Sequence, residues 1–144
     1  MKTLTLYQPY ATLIAVRAKR IETRSWSTKY RGLLAIHASK KFPELAKQLI
    51  WKPLFHEALS TEAFDTKRDN FPLGMVVAIC NLEACFRIDS RPLLISDQER
   101  TFGDYTAGRF MWFLENVREL KHPIPAKGAL GLWEWIPPQG LEFK

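Results

Sequence analysis

The run Leu6-Tyr7-Gln8-Pro9-Tyr10-Ala11-Thr12-Leu13-Ile14 leads into Lys19-Arg20-Ile21-Glu22-Thr23-Arg24-Ser25-Trp26-Ser27-Thr28, then Tyr30-Arg31-Gly32 and Ile36-His37-Ala38-Ser39-Lys40. This stretch decides the reading of the chain. Thr3 to Tyr7 alternates apolar and polar residues, which predicts a strand. Pro9 opens a helix, because the first helical turn has no use for the N–H that proline lacks. Leu13, Ile14 and Val16 give that helix an apolar face. Arg17, Lys19 and Arg20 crowd its C-terminal end, where cations favour the dipole. Ile21 to Trp26 alternates again and predicts a short strand. Arg31-Gly32 predicts a turn, and Leu33 to Ala38 a mostly buried strand.

Working outward, Pro43 starts a second helix carrying Leu45, Leu49 and Ile50. Pro53 ends or kinks it, since its ring clashes with the preceding turn. A further helical piece, Leu54 to Leu59, follows. Thr61 to Asn70 is polar and reads as a surface loop. Gly74 to Ile88 is β-rich and reads as a central strand, whereas residues 89–108, with Pro92, Gly103 and Gly108, read as irregular. Arg109 to Leu114 predicts a strand, Pro123-Ile124-Pro125 an extended segment, and Leu130 to Ile136 a last strand. Five or six strands and two main helices without βαβ alternation predict a mixed α+β, β-rich fold. The expected form is a small β-barrel with helices covering its ends. No repeat or composition shift divides residues 1–144, so one domain is expected.

At 144 residues, 47% hydrophobic and 25% charged, the composition is globular. A chain of this length buries roughly two thirds of its unfolded surface without help from a metal or disulfide. Apolar runs such as Met75 to Cys80 fall far short of the ~20 residues of a spanning helix. Gln8 and Pro9 interrupt any leader-like stretch, so a cytoplasmic protein is expected. Cys80 and Cys85 lie five apart, which in a strand directs them to opposite faces and predicts two unbridged thiols. His37, His56 and His122 are scattered and no Cys-x-x-Cys occurs, so no metal and no cofactor are expected.

The net charge of +6 is unevenly spread. Residues 1–41 hold nine Lys or Arg against one acid, Glu22; the remainder holds twelve against fourteen. Tyr7, Tyr10, Trp26 and Tyr30 are interleaved with the basic residues. That combination suits a polyanion with π faces, namely RNA or single-stranded nucleic acid. A solvated basic face without a partner is the plain alternative. Glu22 and Arg24, two apart in an extended segment, share a face, and Lys19 can join them. Glu22 can orient the cations or accept from a base's amino group. Arg24 can fork onto phosphate or a guanine edge. Trp26 and Tyr30 can stack on an unpaired base. The candidate nucleic-acid-binding residues are therefore Gln8, Tyr10, Lys19, Glu22, Arg24, Ser25, Trp26, Thr28, Tyr30, Arg31 and Lys40. Structural readings compete with several of these. Trp26 suits a core, and Glu22–Arg24 suits a surface ion pair worth ~0–1 kcal/mol. His37, in an apolar strand, suits a hydrogen-bonded core histidine.

Together these segments resemble the ASCH (activating signal cointegrator homology) domain, a branch of the PUA-like superfamily. Its core motif is Gly-x-Lys-x-x-Glu-x-Arg. Lys19, Glu22 and Arg24 match, and Arg17 stands at the glycine position, a departure expected to change a turn or lengthen the helix. Phe102-Gly103-Asp104-Tyr105, Gly108-Arg109, Trp112-Phe113-Leu114 and Gly131-Leu132-Trp133 fit as well. The resemblance implies a PUA-like barrel with a cleft lined by the Lys-Glu-Arg group, and binding of RNA or sometimes DNA. It also implies an alternative, since some members hydrolyse acetylated cytidine and others cut RNA. On that alternative the chain is a metal-independent ribonuclease or modified-nucleoside amidohydrolase. Lys19 is then the base or electrophile, assisted by Glu22, Tyr30 or His37, with Glu83 as a further carboxylate. The amidohydrolase branch, however, has threonine where this chain has Glu22. Pocket shape separates the readings. A closed pocket around Lys19 suits an enzyme or nucleoside binder, and an open groove continuous with Arg31 and Lys40 suits a nucleic-acid module.

Overall fold

The computed structural model describes residues 1–60, 71–89 and 94–144. Among them lie six strands and four short helices. In chain order these are β1 (Lys2–Leu6), α1 (Tyr10–Ala15), β2 (Ile21–Arg24), β3 (Gly32–Ala38), α2 (Glu44–Leu49), α3 (Pro53–Leu59), β4 (Met75–Arg87), α4 (Asp97–Thr101), β5 (Phe110–Pro125) and β6 (Leu132–Glu134). The strands form one sheet in the order β2-β5-β4-β3-β1-β6. Only β1 and β3 run parallel; the other neighbours are antiparallel.

The sheet is strongly curled. β2 and β1 stand four places apart, which in a flat sheet spaced by ~4.8 Å per strand means roughly 19 Å. Yet Arg24 Nη2 donates to the Thr5 carbonyl at 2.8 Å. At the same edge, Trp112 Nε1 of β5 donates to the Trp26 carbonyl, just past the neighbouring β2, at 3.3 Å. The result is a half-barrel whose edge strands β2 and β6 do not pair, in keeping with the small PUA-like barrel expected. Leu4, Leu6, Leu34, Ile36, Leu82 and Trp112 fill its concave side, and Ala11, Ile14 and Ala15 of α1 plug one opening. Leu13, on the other face of α1, joins Ile50, Phe55, Leu59, Phe71 and Phe102 in a second cluster. α2 and α3 therefore cover α1 and brace it against the barrel.

Several expectations need correction. α1 is not lengthened toward Arg20 but stops at Ala15. Arg17 takes φ 66, in the left-handed region. Its amide donates to the Ile14 carbonyl at 2.9 Å, and the Ala18 amide donates to that of Leu13 at 2.9 Å. These two bonds make a Schellman end, which usually has glycine at the position held by Arg17. The motif's glycine position is thus a left-handed helix stop in this chain, with arginine in the turn. The basic residues after the stop do not sit on the helix, so the dipole argument for them fails.

Residues 89–108 are not all irregular. Ser96 Oγ accepts from the Glu99 amide at 3.1 Å and starts α4, an N-terminal signal legible as Ser-x-x-Glu. The expected strand at Arg109 to Leu114 continues through Pro123-Ile124-Pro125 as the long β5. The loop expected at Thr61 to Asn70 lies outside the described residues. Cys80 and Cys85 are unbridged, but they do not face opposite ways: both pack against the same core cluster. The register slips between Leu82 and Ala84, where Glu83 is an extra residue against β5. One extra residue reverses the side-chain alternation.

Candidate nucleic-acid interface

Lys19, Glu22 and Arg24 converge, but not as an open catalytic group. The Schellman turn folds Lys19 back under α1, where it is 0% exposed. Its Nζ donates to the Ile21 carbonyl at 2.6 Å and the Phe102 carbonyl at 2.7 Å, and lies 3.4 Å from Glu22 Oε1. The Tyr10 ring stands 5.7 Å from the same ammonium. Burial, and secondarily the Glu22 charge, pushes the Tyr10 phenol pKa upward. Glu22 Oε1 also accepts from the Thr23 amide at 3.1 Å, while Oε2 takes Arg24 Nε at 3.2 Å and Nη2 at 3.1 Å. The carboxylate thus links one buried and one half-buried cation. Buried charges need such saturation, since each unpaired one is strongly disfavoured.

Arg24 alone of these three lines a cleft of about 1060 Å³. The register between β1 and β6 explains that cleft. Their pairing ends at Leu4 opposite Leu132. Beyond that point β1 continues toward Tyr7, while the β5–β6 connection, residues 126–131, bends away. The cleft occupies the fork. Leu4, Leu6, Leu73, Pro125 and Ala126 supply apolar surface, and Arg24, Lys40, Lys41 and Lys127 supply positive charge. Among the described residues no aspartate or glutamate lines it.

His37 lies in the wall of this cleft and is buried. Its Nε2 donates to the Ala126 carbonyl at 2.8 Å, so Nδ1 accepts from the Thr5 hydroxyl at 3.1 Å. The Thr5 hydroxyl in turn accepts from Trp133 Nε1 at 3.0 Å. Burial lowers the His37 pKa and keeps the ring neutral. Both nitrogens serve the seam between β1, β3 and residues 126–128, so the ring is not poised to move a substrate proton.

The other candidates sort by position. Gln8 is fully enclosed: its Oε1 accepts from the Thr12 amide at 3.0 Å and its Nε2 donates to the Pro72 carbonyl at 2.9 Å. Gln8 and Lys19 therefore have no surface to offer a ligand, and their expected direct contacts give way to supporting roles. Trp26 leans edge-on against Trp112, with centroids 4.8 Å apart, and belongs to the rim of the core. The Tyr30 hydroxyl donates to the Leu33 carbonyl, Thr28 Oγ1 accepts from the Tyr30 amide at 3.1 Å, and Arg31 donates to the Thr28 and Tyr30 carbonyls. Ser25, Trp26, Thr28, Tyr30 and Arg31 do not line the cleft. Lys40 does, but it and Arg31 flank opposite ends of β3, a strand that itself spans roughly 20 Å at 3.3 Å per residue. The groove continuous with both residues is therefore not what the fold builds. Glu83 is exposed at its bulge and is not a cleft residue.

Sequence reasoning missed Tyr7, Lys41, Lys127, Gly128 and Leu130, all cleft-lining. The Lys127-Gly128 to Gly131 spacing was the available signal, but it lies far along the chain from the basic segment. Among the described residues no group of three or more His, Cys, Asp or Glu is placed to hold a metal ion. No helix among them is long and apolar enough to cross a membrane.

Comparison with known proteins bears on this geometry. The chain is 25% identical over 131 residues to activating signal cointegrator 1 of Mus musculus and of Homo sapiens, a match covering 91% of this chain. It spans only 22% of the length of those relatives. Two mutant forms of ZmASCH from Zymomonas mobilis align over 99% of this chain and 87–88% of theirs, with 16% and 17% identity and TM-scores of 0.48 and 0.49. The ASCH domain family model matches residues 4–124, the span that contains the motif lysine, glutamate and arginine, all of β2, β3 and β4, and most of β1 and β5. The chain belongs to the ASCH domain family.

Proposed function

We propose that this protein binds single-stranded nucleic acid, RNA before DNA, in the fork between β1 and β6. The observation that carries the reading is the cleft's lining among the described residues: Lys40, Lys41 and Lys127, with Arg24 already paired to Glu22 behind it, and no carboxylate in the lining, around an apolar floor. Phosphates suit the cations and bases suit the floor. Size supports the same reading. Small-molecule pockets run roughly 300–1,000 Å³, and this cleft stands at the top of that range. A stretch of polymer fits it better than one small metabolite. Arg24 and Lys40 are the expected contact residues from the basic N-terminal segment. Lys19 and Glu22 hold the segment that leads into Arg24, and Gln8 ties the start of α1 to Pro72. A modified nucleoside within RNA is compatible with the same floor.

The catalytic alternative draws less support. It needs a free base, and Lys19 and His37 both have their polar atoms engaged. Labelled RNA incubated with the protein is expected to stay intact, and free acetylcytidine to keep its acetyl group.

Fluorescence anisotropy with a short RNA and a short single-stranded DNA at several salt concentrations tests the binding reading. A single strand contributes a log–log slope of ~0.7 per phosphate neutralised. Three or four engaged cations give an expected slope of about 2–3. Lys40→Ala should lower affinity for all sequences alike and flatten that slope. Absence of binding to either oligonucleotide at low salt would overturn the proposal.

A further inference from the structure

Two large side chains at the cleft are exposed. Tyr7 is 49% exposed and Leu130 is 99% exposed. A single exposed leucine means little by itself. These two, however, line the same cleft, Tyr7 from the end of β1 and Leu130 from the β5–β6 connection. Tyr7 follows β1 on one side of the fork. Its backbone is held, because the Ala11 amide donates to the Tyr7 carbonyl at 3.3 Å and the neighbouring Gln8 is locked at both ends. Leu130 belongs to the β5–β6 connection on the other side.

The root of that connection is pinned. The Ala126 amide donates to the Gly74 carbonyl at 3.0 Å, and the Ala126 carbonyl takes the His37 ring. Gly128 sits so close to His37 that a Cβ there would lie 2.8 Å from His37 Cε1. Gly131, at φ 68, returns the chain to β6. The connection thus lines the cleft from a fixed root, with the exposed Leu130 near its end. Lys127 at the root and Lys40 and Lys41 along the cleft keep positive charge beside it.

The occupant must be flat, apolar on two faces and joined to negative charge. A base inside a duplex is already stacked on both sides and offers neither face. An unpaired base offers both, with phosphates on either side of it. We infer that one unpaired base lies between the Tyr7 ring and the Leu130 side chain, so that the protein selects single strands, strand ends or extruded nucleotides over perfect duplex. This rests on the nucleic-acid reading above and names the feature that the cleft recognises.

The test uses a short RNA with 2-aminopurine at one position, read by fluorescence quenching and by anisotropy. The same label is placed in a perfect duplex and in a duplex with a one-nucleotide bulge. Stacking is expected to quench the single strand and the bulge, and the perfect duplex should bind more weakly than either. Tyr7→Ala is expected to weaken single-strand binding roughly 5- to 150-fold, the range of one aromatic–base stack, with the salt slope unchanged. Tyr7→Phe should retain the stack. Leu130→Ala should lose several-fold and reduce quenching. Lys127→Ala is the charge control and should flatten the slope. Thermal midpoints check that the variants fold, which is expected because both side chains are exposed. If Tyr7→Ala and Leu130→Ala leave affinity and quenching unchanged while Lys127→Ala flattens the slope, the base clamp is refuted and the binding cleft survives. Equal affinity for duplex and single strand also refutes the clamp. If nothing binds at low salt, both readings fall together.

Discussion

Lys19→Met asks whether the motif lysine is chemistry or architecture. The substitution keeps the length of the side chain and removes its charge. It leaves the Ile21 and Phe102 carbonyls without their donor and Glu22 without its buried partner. An orphaned buried acceptor costs ~1–3 kcal/mol, and breaking a buried ion pair from one side costs ~3–5 kcal/mol. These overlap, so the expected loss is about 3–5 kcal/mol. Domains have only ~5–15 kcal/mol in total. At ~2–4 °C per kcal/mol for a chain of this size, the thermal midpoint should fall by about 6–20 °C. Urea unfolding followed by tryptophan fluorescence measures the loss directly. Glu22→Gln alone should cost less, since an amide oxygen still accepts from the Thr23 amide. The double variant should cost at least ~1 kcal/mol less than the sum, because the pair is shared. A base standing in an open cleft behaves differently: its loss abolishes activity and leaves stability untouched. A Lys19→Met protein within ~1 kcal/mol of wild type, or strict additivity in the double variant, refutes the architectural assignment.

Three further outcomes follow from the packing. Arg17→Gly relieves a left-handed residue but loses the Arg17 Nε bond to the Val117 carbonyl. Left-handed strain of ~1–2 kcal/mol exceeds the entropy cost of glycine, so chemical denaturation should find the variant equal to or up to ~1 kcal/mol above wild type, and a loss beyond 1 kcal/mol contradicts the account. Gly128→Ala drives a methyl group against the buried His37 ring and Thr5 Oγ1, with an expected loss of about 1–3 kcal/mol; a neutral calorimetric scan would show that the connection can lift away at no cost. His37 is held neutral with its pKa below 6.5, so the unfolded chain binds the extra proton between the two values. Its contribution is therefore present above pH 6.5 and is lost as pH falls through 6.5 toward the folded value. Stability measured from pH 7.5 to 5 should show this decline in wild type and a flatter profile in His37→Gln.

The order of the strands and of the first three helices, and the residue group at the heart of the fold, were legible in the sequence. Proline positions, period-two alternation and the Lys19-Glu22-Arg24 spacing act over a few residues, and local sterics suffice to read them. The same locality hid α4, whose start rests on a four-residue cap, and the full length of β5, where two prolines look like breaks. Parity arguments failed at Cys80 and Cys85 because a bulge is set by pairing with another strand, not by the strand's own residues. Only the tertiary structure decided what each charge does. A lysine, a glutamine and a histidine in the basic segment look available in one dimension. Each is satisfied by a carbonyl from far along the chain: Phe102 for Lys19, Pro72 for Gln8 and Ala126 for His37. The cleft itself exists because β1 and β6 part after Leu4 and Leu132, residues at opposite ends of the sequence. Its Lys127 and Leu130 come from the far side of that fork. Burial and long-range pairing are properties of the curled sheet, and no local pattern encodes which surface the curl will leave open.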